Sequence, residues 1–241
     1  MPLIDSYAIL GCAAPCSGAF DRDHLMKRMD ALGITHSIVT SSLAMVSDFE
    51  AGNDYLASQI EGQKRLLGYA VVNTNHPAQS IETMRKYMTR RQFVGMLLIE
   101  GDAQTPVNSH DAEEILNAYR RYGKPLLISA PNRECVYGAG EVARKFDQMK
   151  VVLVDMGGLD WRSAIAAAVS NLNIYLTTTG EISPDKVREG WTAVKGNRMV
   201  FGSGAPLVDP AVVLGMVDEV NLSDREKQQL LSTNSERLFA G

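Results

Sequence analysis

Few cysteines, no basic surplus and no long apolar run mark this chain, and each shortage removes a class of protein. Three cysteines in 241 residues is an odd number on unequal spacings, so a secreted disulfide framework is not expected. No apolar stretch reaches the roughly 18 residues that span a bilayer, and the N-terminus shows no charged region followed by an apolar one. The chain is therefore expected to be soluble and cytoplasmic, with no membrane partner. Lysine and arginine number 24 against 28 acidic residues, a net charge of -4, which leaves nothing to grip a phosphate backbone; nucleic acid is not an expected partner. No G-x-G-x-x-G follows a strand-like run, and there is no Walker-type lysine loop. Nor does any linker, low-complexity repeat or charge block divide the chain, so residues 1–241 are read as one domain. What is present is 45% hydrophobic content over 241 residues, enough for a large core without metal or disulfide staples.

That apolar content recurs with a period. Short aliphatic or β-branched runs appear as LIDSYAIL, THSIVTSS, LLGYAVVN, FVGMLLIE, PLLISA, VVLVDM, NIYLTTTG and RMVFGSG. Between them, apolar residues follow helical spacing, as in Leu25, Met29 and Leu32 or Val187, Trp191 and Val194. The stretch from Glu50 to Ile60 carries the pattern more weakly. Ser183 before Pro184 and Asp209 before Pro210 mark helix starts, and Ser223 with Glu226 forms a capping box ahead of a last helix. Strands apolar on both faces, each followed by an amphipathic helix, require a parallel sheet covered by helices. Eight such units in a chain of this length predict an α/β protein, a single-domain (β/α)8 TIM barrel; a doubly wound open sheet is the alternative.

In such a barrel the reactive side chains stand at the C-terminal ends of the strands. Read in order, these ends are Tyr7 and Ile9, Thr40 and Ser42, Asn73, Ile99 and Glu100, Ser129, Asp155, Thr178 to Glu181, and Ser203 with Gly204. Not one is a histidine. Alternation points Tyr7 and Ile9 to the same side. His24 and His36 are expected in surface or packing roles, and His110 in solvent. His76, followed by proline, is expected to be an exposed loop residue near the mouth.

Four segments in order and spacing resemble a known family. IDSYAILG is similar to an IDxHxHxG opening, VVLVDMGG to VxxxHMGG, MVFGSGAP to FGSDxP, and the closing LLSTNSERLF to an N-A-x-x-L-F helix end. On these motifs the chain resembles the amidohydrolase-related barrels, a branch of the amidohydrolase superfamily that also holds decarboxylases of aromatic acids. The resemblance implies the barrel and a hydrolase-like or lyase-like activity. It also implies one or two divalent metals on a first-strand histidine pair, histidines of strands five and six and an aspartate of strand eight. At the matching positions stand Tyr7 and Ile9, Ser129, Asp155 and Gly204, while GMLLIEG places Leu97 and Ile99 where a G-x-K-L-H segment has lysine and histidine. Ile9, Leu97, Ile99 and Gly204 offer no donor, and zinc needs imidazole, thiolate or carboxylate. A family-type metal site is not expected unless ligands come from elsewhere, and no cofactor is expected.

The candidate catalytic residues are then Asp155, Tyr7 and Ser129, with Arg133, Glu100, Glu181, Thr178 and Asn73 as candidate substrate contacts around a small-molecule site. Arg133 is the candidate partner for a carboxylate. Asp155 as general base and Asp155 as a mere hydrogen-bond acceptor in the place of a metal both stay open. So do the cysteines: Cys12, Cys16 and Cys135 fall on loops of the same face, where they could form a thiolate site, supply a nucleophile assisted by His76, or simply pack, CAAPC being no strong metal signature. Three functions are compatible: a metal-independent enzyme, a catalytically silent binder, and a metalloenzyme relocated onto Glu100, Asp155, Glu181 or the cysteines. The assembly state, monomer or homo-oligomer, is open.

Overall fold

The eight apolar runs form eight strands of one parallel sheet in the order β1 to β8. A computed structural model describes residues 2–11, 20–100, 105–181 and 183–239. The strands are β1 Ile4–Leu10, β2 His36–Ser41, β3 Leu66–Asn73, β4 Phe93–Ile99, β5 Leu126–Ser129, β6 Val151–Val154, β7 Ile174–Thr177 and β8 Met199–Val200. The helices are α1 Arg22–Leu32, α2 Ser42–Val46, α3 Phe49–Ile60, α4 Pro77–Tyr87, α5 His110–Tyr119, α6 Arg133–Lys145, α7 Trp161–Ser170, α8 Pro184–Ala193, α9 Pro210–Glu219, α10 Asp224–Gln228 and α11 Asn234–Phe239.

The sheet closes on itself. The Ser6 amide donates to the Phe201 carbonyl at 2.8 Å, that of Ile9 to Ala205 at 2.7 Å, and that of Gly204 to Tyr7 at 2.9 Å. These bonds tie β8 and the segment after it to β1, which makes a (β/α)8 barrel and sets the open sheet aside. RMVFGSG was expected to be extended throughout, yet β8 covers only Met199–Val200. Beyond it the backbone bonds to β1, and Gly204 turns it with φ +74°.

Alternation sorts the core into two shells. Tyr7, Ile9, Ile38, Tyr69, Val71, Leu97, Leu127 and Val152 fill the barrel, while Ala8, Leu10, Val39, Ala70, Val72 and Leu98 face the helices. At the N-terminal end of the barrel, Phe239 lies 5.9 Å from the Tyr69 ring between centroids, and Leu238 is part of the inner cluster. Helix α3, the weakly patterned one, forms because Asp48 caps it by accepting from the Ala51 amide at 2.9 Å and because Gly52 and Asn53 lie on its buried face. Neither residue reads as apolar, which is why its periodicity looks faint. The capping box of Ser223 and Glu226 is formed, and Asp209 accepts from the Ala211 amide at 2.8 Å.

Candidate active site

Tyr7 and Ile9 point into the barrel together, each buried among the inner cluster. The Tyr7 hydroxyl has a soft acceptor, the Met45 sulfur of α2 at 3.7 Å. Burial, with the Asp155 carboxylate adding repulsion, pushes the phenol well above its ordinary pKa, so it is a proton donor at any physiological pH.

Asp155 reaches the interior by a route that alternation does not predict. Val152 and Val154 face inward, so a continued strand would turn position 155 outward. Instead Asp155 and Met156 adopt left-handed backbone, φ 68° and 48°, an arrangement costing on the order of 1 kcal/mol or more per residue. The turn returns the carboxylate to the end of β5, where the Ser129 hydroxyl donates to Oδ2 at 3.0 Å. Burial raises the Asp155 pKa and the Ser129 bond pulls back only part of that rise. Asp155 and Ser129 are thus in contact, and the glycines at 157 and 158 carry the turn on with φ 82° and 55°.

The other candidates separate. Thr178, expected at the rim, is instead fully buried; its hydroxyl donates to the Gly202 carbonyl and accepts from the Gly202 amide, both at 3.1 Å. It clamps β7 to the segment after β8 rather than facing a ligand. Glu181 is buried, pairs with Lys186 at 3.2 Å and accepts from the Ser183 amide at 2.8 Å. Asn73 ends β3 and accepts from the Asn75 amide at 2.8 Å. Glu100 is exposed after β4, and the Cys135 thiol approaches its Oε2 at 3.8 Å. Arg133 opens α6 as an exposed residue and lines a groove between α6 and α7 with Tyr137 and Arg144. His76 is exposed, as expected, and stacks on Phe49 with centroids 6.1 Å apart.

Burial and the neighbouring Glu100 charge raise the Cys135 thiol pKa, the opposite of what an activated nucleophile needs. Cys12 and Cys16 lie outside the described residues. Two further hydroxyls, which the sequence places at strand ends without making them candidate catalytic or binding residues, are buried. Thr40 follows Ile38 by two on the inner face of β2, and the Thr179 hydroxyl lies beside Gly202, 2.7 Å from where a Cβ there would stand; both oxygens are buried without a hydrogen-bond partner among the described residues. Period-two alternation along THSIVTSS puts Thr40 on the same face as Ile38.

A family model described as amidohydrolase matches residues 17–241. The chain belongs to the amidohydrolase family. The match begins past β1 and its Tyr7-Ala8-Ile9 triplet. No curated protein sequence is a significant match. Among solved structures, 5-carboxyvanillate decarboxylase from Sphingomonas paucimobilis is similar, with a TM-score of 0.79 at 13% identity over 99% of each chain. A probable 2-pyrone-4,6-dicarboxylic acid hydrolase from Acinetobacter baumannii gives 0.76 at 15%, covering all of both chains. An amidohydrolase from Burkholderia multivorans with bound zinc gives 0.80 at 15%, over 100% of this chain and 99% of that one. At these identities the likeness is one of fold.

The side chains at the positions that the resemblance matches to the family's metal ligands supply few donor atoms among the described residues. Of the matching positions, Asp155 alone supplies a carboxylate, Tyr7 is held as the neutral phenol, Ser129 is already a donor to Asp155, and Ile9 has no donor atom. Position 204 is closed to a ligand as well. A Cβ there would lie 3.1 Å from the Thr179 methyl and 3.2 Å from the Gly180 amide nitrogen, on backbone with φ +74°, so an aspartate would be strained before it reached an ion. Among the described residues no group of three His, Cys, Asp or Glu side chains is placed to hold a metal.

Proposed function

We propose that this amidohydrolase-family barrel is a hydrolase or lyase for a small polar or carboxylated substrate that works without the family's divalent metal, with Asp155 moving the proton. The observation that carries the reading is the Ser129–Asp155 pair, 3.0 Å apart at the ends of adjacent strands, with a carboxyl whose pKa burial raises. A general acid or base works best when its pKa approaches the operating pH, and a raised carboxyl is nearer to that than a solvated one. Tyr7, protonated and electrostatically coupled to Asp155, serves as the fixed donor. Asn73, Glu100 and Glu181 offer rim contacts, and Arg133 the carboxylate contact, in this reading. The carboxylated substrate class is supported by the names of the structural relatives, a carboxyvanillate decarboxylase and a pyrone dicarboxylic acid hydrolase.

The same hydrogen bond favours a second reading, in which Ser129 merely satisfies a carboxylate and the barrel binds without turnover. A panel of carboxylic acids, lactones and amides separates the two. For the enzyme, Asp155→Asn lowers kcat by about a hundredfold or more while ligand affinity changes far less, and chelator-treated protein keeps its activity. Ligand-induced thermal shifts without product in wild type would establish the silent binder. Activity lost on chelation and restored by zinc would establish the metalloenzyme.

A further inference from the structure

The opposite end of the barrel carries a feature that the chemistry at the mouth does not use. The turn between α4 and β4, the turn before β5 and the end of α11 border a cavity of about 420 Å³. Arg90, Arg91 and Lys124 are among the residues that line it, as are Val94, Tyr122 and Phe239, and among the described residues no carboxylate does.

Helix C-termini attract cations, so the bland account is that these residues answer the dipole of α4. That account fits Lys124 and leaves the two arginines over. Arg85 and Lys86 occupy the last turn of α4, and the Lys124 ammonium donates to the Met88 and Phe93 carbonyls at 2.7 and 2.6 Å. Arg90 lies over the Tyr87 ring, 5.1 Å from its centroid, with a weak pull toward Asp54, which is itself bonded to Lys86 and Tyr87. Arg91 is exposed and makes no hydrogen bond or ion pair among the described residues. Lys124 is partly buried with main-chain carbonyls as its acceptors, and that burial lowers its pKa. Three cations around one cavity, in a chain whose net charge is -4, repel one another unless an anion joins them.

We infer that this cavity is a second ligand site, independent of the mouth, for a small organic anion whose carboxylate or phosphate meets Arg90, Arg91 and Lys124 while its apolar body lies against Val94, Tyr122 and Phe239. The volume falls in the range of small-molecule sites, and arginine forks match both acid groups. Among the described residues, no acidic side chain lines the cavity to oppose an anion.

Benzoate and phenyl phosphate, titrated calorimetrically into the full-length protein, are the probes, and their relative affinity tells which acid group the site prefers. Arg91→Gln is the informative variant because Arg91 holds no other group in place among the described residues. At least one probe is expected to bind wild type, with affinity that weakens as salt rises, and Arg91→Gln should weaken it about tenfold, the size of a lost charged hydrogen bond. Asp155→Asn and Ser129→Ala should leave that binding unchanged, whatever becomes of activity. Absence of binding by both probes, or binding that Arg91→Gln leaves intact, overturns the site. Binding that Asp155→Asn abolishes assigns the anion to the mouth and overturns it equally.

Discussion

Asp5 is a buried carboxyl whose ionisation bears on the fold. It is fully buried, and desolvation raises its pKa to about 6 despite bonds from the Ser203 hydroxyl at 2.6 Å, the Ser203 amide at 2.8 Å and the Tyr7 amide at 3.2 Å. The two bonds from Ser203 bridge β1 to the segment after β8, across the seam of the barrel. The unfolded chain releases this proton near pH 4 and the folded chain near pH 6, so over that interval the folded state binds the extra proton. Stability contributed by the group is therefore complete below about pH 4 and lost as pH rises through about 6, by about 3 kcal/mol for a two-unit shift. Asp5→Asn should remove that slope: denaturation midpoints of variant and wild type, compared at pH 4.5 and 7, should move in the variant's favour at the higher pH. A constant difference across that range would show that Asp5 is ionised in the fold with its ordinary pKa.

At the scale of elements, the joint between α3 and β3 shows how a helix can complete a strand. The β2–β3 register runs from Ser37 opposite Leu66 to Val39 opposite Gly68 and then stops. On the side where pairing ends, the Asn53 amide takes over: its Nδ2 donates to the Val71 carbonyl at 2.7 Å and its Oδ1 accepts from the Val71 amide at 2.8 Å, both buried. Asn53→Ala leaves two main-chain groups buried without partners, a loss of roughly 3 kcal/mol, and Asn53→Asp restores only the acceptor. Urea midpoints should fall in the order wild type, Asp, Ala. Equal midpoints for wild type and Ala would mean that β3 finds other partners there. Alternation within LLGYAVVN makes Val71 legible as an interior residue, whereas its partner from α3 is not legible, because the pairing joins residues of different elements through a turn of unspecified course.

For the whole molecule, closure joins Asp5 to Ser203 across nearly the full chain, so neither half holds a complete ring of strands. Both tryptophans, Trp161 and Trp191, are in the second half. If residues 1–241 unfold as one domain, tryptophan fluorescence and far-ultraviolet circular dichroism should report a single coincident transition. A dichroism loss preceding the fluorescence change would reveal a first half that melts by itself. Among the described residues no helix is long and apolar enough to cross a membrane.

The sequence by itself determined the parallel barrel, because eight apolar runs alternating with amphipathic segments admit few other burial schemes, and local chemistry marks the capped starts of its helices. It also determined which side chains stand at the ends of the strands, since those positions depend on strand order and alternation alone. Only the tertiary structure decided what they do. Left-handed backbone at Asp155 carried its carboxylate back to Ser129, burial inside the barrel kept Tyr7 protonated, the Gly202 backbone consumed the Thr178 hydroxyl, and Thr179 closed the space beside Gly204. The reason is physical: periodicity is a local property of a strand, whereas dielectric surroundings, hydrogen-bond competition and free volume are set by neighbours that the chain brings together from distant positions.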